Sequence, residues 1–105
     1  MIIRFEKEYL RELYETGSTG DKKHRYQPEV VRRYHYCVDV LEAARCIEDL
    51  FPYNSLHFEA LQGDKKGICS IRVNKQYRIE FKVSTFMGET VITVCTIINL
   101  SNHYN

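Results

Sequence analysis

Residues with the right types to act on a phosphate recur in the second half of this chain. Ser70 and Arg72 alternate with Cys69, Ile71 and Val73, and Arg78, Glu80 and Lys82 alternate with Tyr77, Ile79, Phe81 and Val83. That period of two belongs to half-buried β-strands, so the polar members of both runs should share one sheet face. If residues 56–61 form an earlier strand in one register, with Leu56, Phe58 and Ala60 inward, His57 and Glu59 join the same face. Arginine and lysine arrayed on a sheet, with tyrosines such as Tyr77 at a strand end, grip phosphates while an aromatic ring stacks on a base. A carboxylate or imidazole beside them is suited to proton transfer. The plainer reading is a solvated face like that of any one-sided sheet, on which Glu59 merely pairs with arginine. On such a face, losing Arg78 would cost at most about 1 kcal/mol.

The elements that must position these groups follow from pattern. Ile2, Ile3 and Phe5 read as a short strand, and Tyr9, Leu10, Leu13 and Tyr14 recur at helical spacing before Gly17, a natural C-cap. Residues 18–25 carry no apolar period and form a loop. Pro28 opens a second helix, whose apolar stripe runs from Val30 and Tyr34 through Leu41 and Ala44 to Ile47, with Pro52 as its stop. Asn74–Gln76 make a tight connection, residues 63–67 (GDKKG) a hairpin turn, and residues 90–98 a fully buried strand. Helices followed by strands predict an α+β fold, with the N-terminal strand and two helices packed on one face of an antiparallel sheet.

Bulk properties narrow the function. A chain of 105 residues with 44% hydrophobic and 12% aromatic residues suits one domain spanning 1–105. The net charge of +1 excludes a generic nucleic-acid glue. The charge is nonetheless segregated. Lys65, Lys66, Arg72, Lys75, Arg78 and Lys82 face a single acid, Glu80, between positions 65 and 82. Cysteines 37, 46, 69 and 95 contain no CxxC pair, and the histidines at 24, 35, 57 and 103 have no metal-site spacing, so reduced structural thiols and no metal are expected. GDKKG sits between strands, where a phosphate loop would have to open a helix. The opening MIIRFEKEYL lacks the form of a signal peptide, and no run approaches the roughly 18 apolar residues of a membrane span. A cytoplasmic protein is expected.

Combined, L-x-G-D-x-K-G (61–67), SIRVN (70–74) and QYRIEF (76–81) resemble the HigB-type toxins of the RelE superfamily, which belong to bacterial toxin–antitoxin systems. IIRFEKEYLRELYETGS at the start is similar to that family's first strand, first helix and turn, and LEAARCIEDL to the end of its second helix, so nearly the whole chain is covered. The resemblance implies a fold similar to microbial ribonucleases, mRNA cleavage that generally depends on the ribosome, a HigA-like antitoxin and no cofactor. It implies Arg78 for phosphate stabilisation, with Lys65, Lys66 and Arg72 holding RNA backbone. Where many relatives read L-H-x-L-K-G-D, this chain has Glu59 in place of the histidine and Gln62 in place of the lysine, with His57 two residues upstream. Either Glu59 or His57 is then the base, and two adjacent guanidinium groups would weaken the carboxylate, which favours His57. Where relatives end in D-Y-H, this chain ends in INLSNHYN, leaving His103 and Tyr104 as acid/base candidates. A noncatalytic member that binds RNA or ribosome and antitoxin is the alternative, and a structural partner subunit a third.

Overall fold

The computed structural model of the chain describes residues 1–102. Strand β1 (Ile2–Phe5) leads into helix α1 (Glu8–Thr16). Tyr9, Leu10 and Leu13 form its buried face, and Gly17 ends it in the left-handed region (φ 81°), with its N–H donating to the Leu13 carbonyl at 3.1 Å. Only glycine takes that backbone without steric cost. Helix α2 (Pro28–Ala43) starts with its proline in the first turn, where the missing N–H costs nothing. A hydroxyl bond from Tyr34 to the Leu10 carbonyl, 2.7 Å long and fully buried, ties the two helices together.

The second helix stops well short of Pro52. Ala44 is already extended (φ −69°, ψ 145°), the Met1 ammonium donates to the carbonyls of Glu42 and Ala44, and a 3₁₀ turn at Ile47–Leu50 follows. Ala44 and Leu50 are buried and Ile47 packs against the core, so the apolar spacing persists after the helical backbone has ended.

Strands β2 (Glu59–Ala60), β3 (Cys69–Arg72), β4 (Tyr77–Met87) and β5 (Val91–Asn102) complete a sheet of order β1-β5-β4-β3-β2. Its pairings are antiparallel except that β1 lies parallel to β5, so the sheet is mixed. The chain reverses between β3 and β4 through Asn74, whose side-chain oxygen accepts from the N–H groups of Gln76 (2.8 Å) and Tyr77 (2.7 Å). Between Glu80 and Phe81 the register on β5 jumps from Asn99 to Ile97, leaving Ile98 as a bulge. Cys69, Ile71, Val73, Ile79, Phe81, Cys95, Ile97 and Leu100 face the helices in one core. The outer end of β5 departs from the expected full burial. There the β4–β5 ribbon runs past its neighbours and exposes Phe86, Met87, Val91 and Ile92.

All four cysteines are free thiols. Burial pushes Cys37 up to about 11 and Cys95 up to about 12, and raises Cys69 in the same direction. These buried groups stay protonated at neutral pH, and only the half-buried Cys46 is accessible. Alkylation of the native protein at pH 8, followed by mass spectrometry, should therefore label Cys46 first. Cys37 and Cys95 should react only after unfolding.

Candidate active site

The register of β3 sets the polar face. Ser70 pairs with Glu80 on β4 and with Glu59 on β2, while Arg72 pairs with Arg78. Directly paired residues point to the same side of a sheet, here the side away from the helices. This face is not uniformly solvated, because Ser70 (1%), Arg78 (8%) and Glu80 (7%) are all buried. They form the floor of a concavity of about 260 Å³, walled by Glu59, Leu61, Gln62 and Lys65 on one side and by the end of β5 at Ser101 and Asn102 on the other.

Arg78 is anchored by uncharged acceptors. Its Nε donates to Ser70 Oγ at 3.1 Å and one terminal nitrogen donates to the His57 carbonyl at 2.6 Å. Among the described residues its acidic partner is Glu59, at 4.0 Å and with a largely exposed side chain. Dipoles thus hold the guanidinium in place without cancelling its charge, and a buried cation in that condition favours an incoming anion. The other buried charge, Glu80, is matched more closely. Lys65, reaching in from the loop between β2 and β3, donates to it at 2.7 Å.

His57 stands elsewhere. The expected strand at 56–61 shortens to Glu59–Ala60, because Asn54–Leu56 form a 3₁₀ turn that drives Leu56 fully into the core. His57 then adopts a left-handed backbone (φ 45°, ψ 55°), so its side chain does not alternate with that of Glu59. The Nε2 atom lies 3.2 Å from an Arg72 terminal nitrogen. Arginine can only donate, so the ring accepts there and carries its proton on Nδ1. The imidazole lines a separate recess with Phe51, Tyr53, Asn54 and Phe58. What His57 contributes to the Arg78 concavity is its carbonyl.

The remaining candidates divide. Lys65 enters the concavity, whereas Lys66 is exposed on the same loop. Arg72 is held by the Asn74 carbonyl (3.1 Å) and by His57. Lys82 is exposed and lies along β4 on the side of Arg78 and Glu80. Tyr77 lies on the opposite, helix-facing side, half-buried and edge-on to Tyr26 at 5.2 Å, and is not placed to stack a base beside Arg78. His103 and Tyr104 fall outside the described residues. No group of three or more His, Cys, Asp or Glu among the described residues is arranged to hold a metal ion. Two features escaped the sequence reading. Glu80 is buried with Lys65 as its partner, a pairing 15 positions apart that no local spacing announces. Ser70 anchors the arginine, although its place in the alternating pattern already put it on the right face.

Comparison with known proteins bears on this geometry. Residues 3–94 match the family model for the RelE-like toxin of the type II toxin–antitoxin system HigB. The chain belongs to this family. It is 39% identical over 83 residues to Toxin HigB-1 of Vibrio cholerae, covering 78% of this chain and 83% of that one. It is also 36% identical over 78 residues to an uncharacterized protein of Haemophilus influenzae, covering 74% of each. The fold is similar to that of a YoeB/ParE toxin from Agrobacterium tumefaciens, with a TM-score of 0.58, 16% identity, and coverage of 99% of this chain and 100% of that one. As a type II toxin of the HigB family, the protein implies an antitoxin partner.

Burial of Arg78 revises the cost of removing it. Arg78→Ala strands the His57 carbonyl and the Ser70 hydroxyl in a place with little water, so destabilisation of about 1–3 kcal/mol is expected. Urea unfolding followed by circular dichroism measures this. A loss under about 0.5 kcal/mol, typical of surface sites, would mean that the anchoring bonds contribute nothing.

Proposed function

We propose that this HigB-family toxin is a metal-independent endoribonuclease that cleaves mRNA on the ribosome and is neutralised by a HigA-like antitoxin. One observation carries the reading: a buried guanidinium with little opposing charge shares a concavity with an accessible carboxylate, Glu59. RNA supplies the matching pair of groups, an anionic phosphate beside a ribose 2′-hydroxyl.

With the scissile phosphate against Arg78, Glu59 takes the 2′-OH proton and the oxygen attacks the adjacent phosphorus in line. The bond to the 5′-oxygen breaks, leaving a 2′,3′-cyclic phosphate and a 5′-hydroxyl end. Arg78 stabilises the extra negative charge of the pentacoordinate transition state, and its neutral anchors keep its donors aimed without competing for them. The leaving oxygen needs a proton, a role for His103 or Tyr104. Exposed Lys66 and Lys82, with Arg72, extend the cationic surface along which RNA backbone runs. Work on translating mRNA places the protein in the cytoplasm.

We favour Glu59 over His57 as the base, although Arg78 stands 4.0 Å from its carboxylate. The guanidinium of Arg72 engages the imidazole at 3.2 Å rather than the carboxylate, and the imidazole faces a different recess. Glu59 keeps a largely exposed side chain on the concavity wall. In this reading His57 is a positioning residue, fixing Arg72 through its ring and Arg78 through its carbonyl.

Induced expression in bacteria should arrest growth and create new 5′ ends inside coding regions, mapped by sequencing of 5′-hydroxyl termini. Glu59→Gln should lower the cleavage rate by about 10²- to 10⁴-fold, the usual worth of a general base, with His57→Ala losing much less. Unchanged transcript ends at confirmed soluble expression would remove the enzyme and leave a binding protein.

A further inference from the structure

Glu80 has no part in the proton transfers above, yet it is a carboxylate buried on the outer face of the sheet. Desolvating a carboxylate is costly, and a single partner offsets that only in part, so a neutral residue would serve the fold better. What the position accomplishes is visible in its partner. Lys65 ends a short 3₁₀ turn, Gly63–Lys65, in a loop with glycines in the left-handed region at Gly63 (φ 65°) and Gly67 (φ 93°). Its side chain is 53% exposed, and among the described residues its side-chain partner is Glu80, at 2.7 Å. Among the described residues the other side-chain bond from this loop is local, from Gln62 to the Ala60 carbonyl at 3.5 Å. A lysine on such a turn loses considerable rotamer freedom when it is fixed, and Glu80 fixes it.

We propose that Glu80 is a positioning residue that holds the Lys65 ammonium inside the concavity as a second cation for the substrate phosphate, beside Arg78. An ammonium has three donors. Glu80 accepts one, leaving others for the non-bridging oxygens of a phosphodiester. The pairing also sets the order of strength. Arg78, whose acidic partner Glu59 stands back at 4.0 Å, carries the less neutralised charge that attracts the anion, and Lys65, bonded to Glu80 at 2.7 Å, contributes directed hydrogen bonds. Cleavage should then be limited by placement of Lys65 rather than by its charge alone. This rests on the endoribonuclease reading, but placement of the ammonium can be measured without it.

The test combines cleavage of ribosome-bound mRNA with the ¹H–¹⁵N signal of the Lys65 ammonium in the free protein. In the parent that signal should be slowed in exchange by its bond to Glu80, and in Glu80→Gln, which keeps shape and fold, it should broaden or vanish. Glu80→Gln and Glu80→Ala should lower kcat by about 10- to 100-fold, the scale of a misplaced group, with KM changed little. In a Lys65→Met background, Glu80→Gln should cost nothing further. An unprotected Lys65 signal in the parent, parental kcat in both Glu80 variants, or an undiminished extra loss in the Lys65→Met background would each overturn the proposal. A gain in affinity in Glu80→Gln would overturn it too, by assigning Glu80 to masking Lys65. A parent that does not cleave RNA, with the ammonium still protected by Glu80, would instead count against the endoribonuclease reading.

Discussion

The guanidinium of Arg78 is bound at its edge by a serine hydroxyl and a backbone carbonyl, and this constraint organises the site around it. A buried arginine is ordinarily neutralised by a close carboxylate, which settles its electrostatics and ends its usefulness. Here the nearest carboxylate among the described residues stands 4.0 Å away on an exposed stem. Neutral acceptors give the side chain direction while leaving its charge available, an arrangement suited to meeting charge that develops during a reaction. Two local features are needed for it. Ser70 must lie on the strand next to Arg78 and on the same face, which the β3–β4 register ensures. His57 must turn its carbonyl inward, which its left-handed backbone achieves.

That backbone depends in turn on the core. Leu56 is fully buried directly before His57, and the 3₁₀ turn that carries it inward leaves the chain two residues, His57 and Phe58, in which to redirect towards β2. Non-glycine residues reach this region at some cost. Its own N–H on the Asn54 carbonyl, Arg78 on its carbonyl and Arg72 on its ring hold His57 there. The two arginines, opposite one another across β3 and β4, are thereby braced through one residue. The fold is shared with a YoeB/ParE toxin at 16% identity. Such a likeness speaks for the scaffold, and the chemistry has to be argued from these side chains.

Much of this architecture was legible in the sequence. The period of two in β3 and β4 placed Ser70, Arg72, Arg78 and Glu80 on one face, and Gly17 and Pro28 marked helix ends, because these signals are local. Other features depend on distant partners. Leu56, Phe58 and Ala60 alternate as well as any strand does, yet the strand covers only Glu59–Ala60. Ala44 and Ile47 keep helical spacing beyond the point where the helix stops. The polar face read as solvated because nothing in its own alternation reveals that the loop carrying Lys65 folds back over it. Burial of Arg78 and Glu80 is a tertiary fact, and the functional reading turns on it.

The central claim is that the chemistry depends on a guanidinium fork aimed by neutral anchors, which a point charge in the same place cannot replace. Arg78→Lys keeps the charge but cannot bond Ser70 and His57 while also offering paired donors to a phosphate. The decisive measurement is the rate of mRNA cleavage on ribosomes by Arg78→Lys, compared with the parent at equal folded concentration. A loss of about 10²-fold or more, the scale of a missing transition-state donor, is the predicted result. Cleavage at the parental rate by Arg78→Lys would contradict the account.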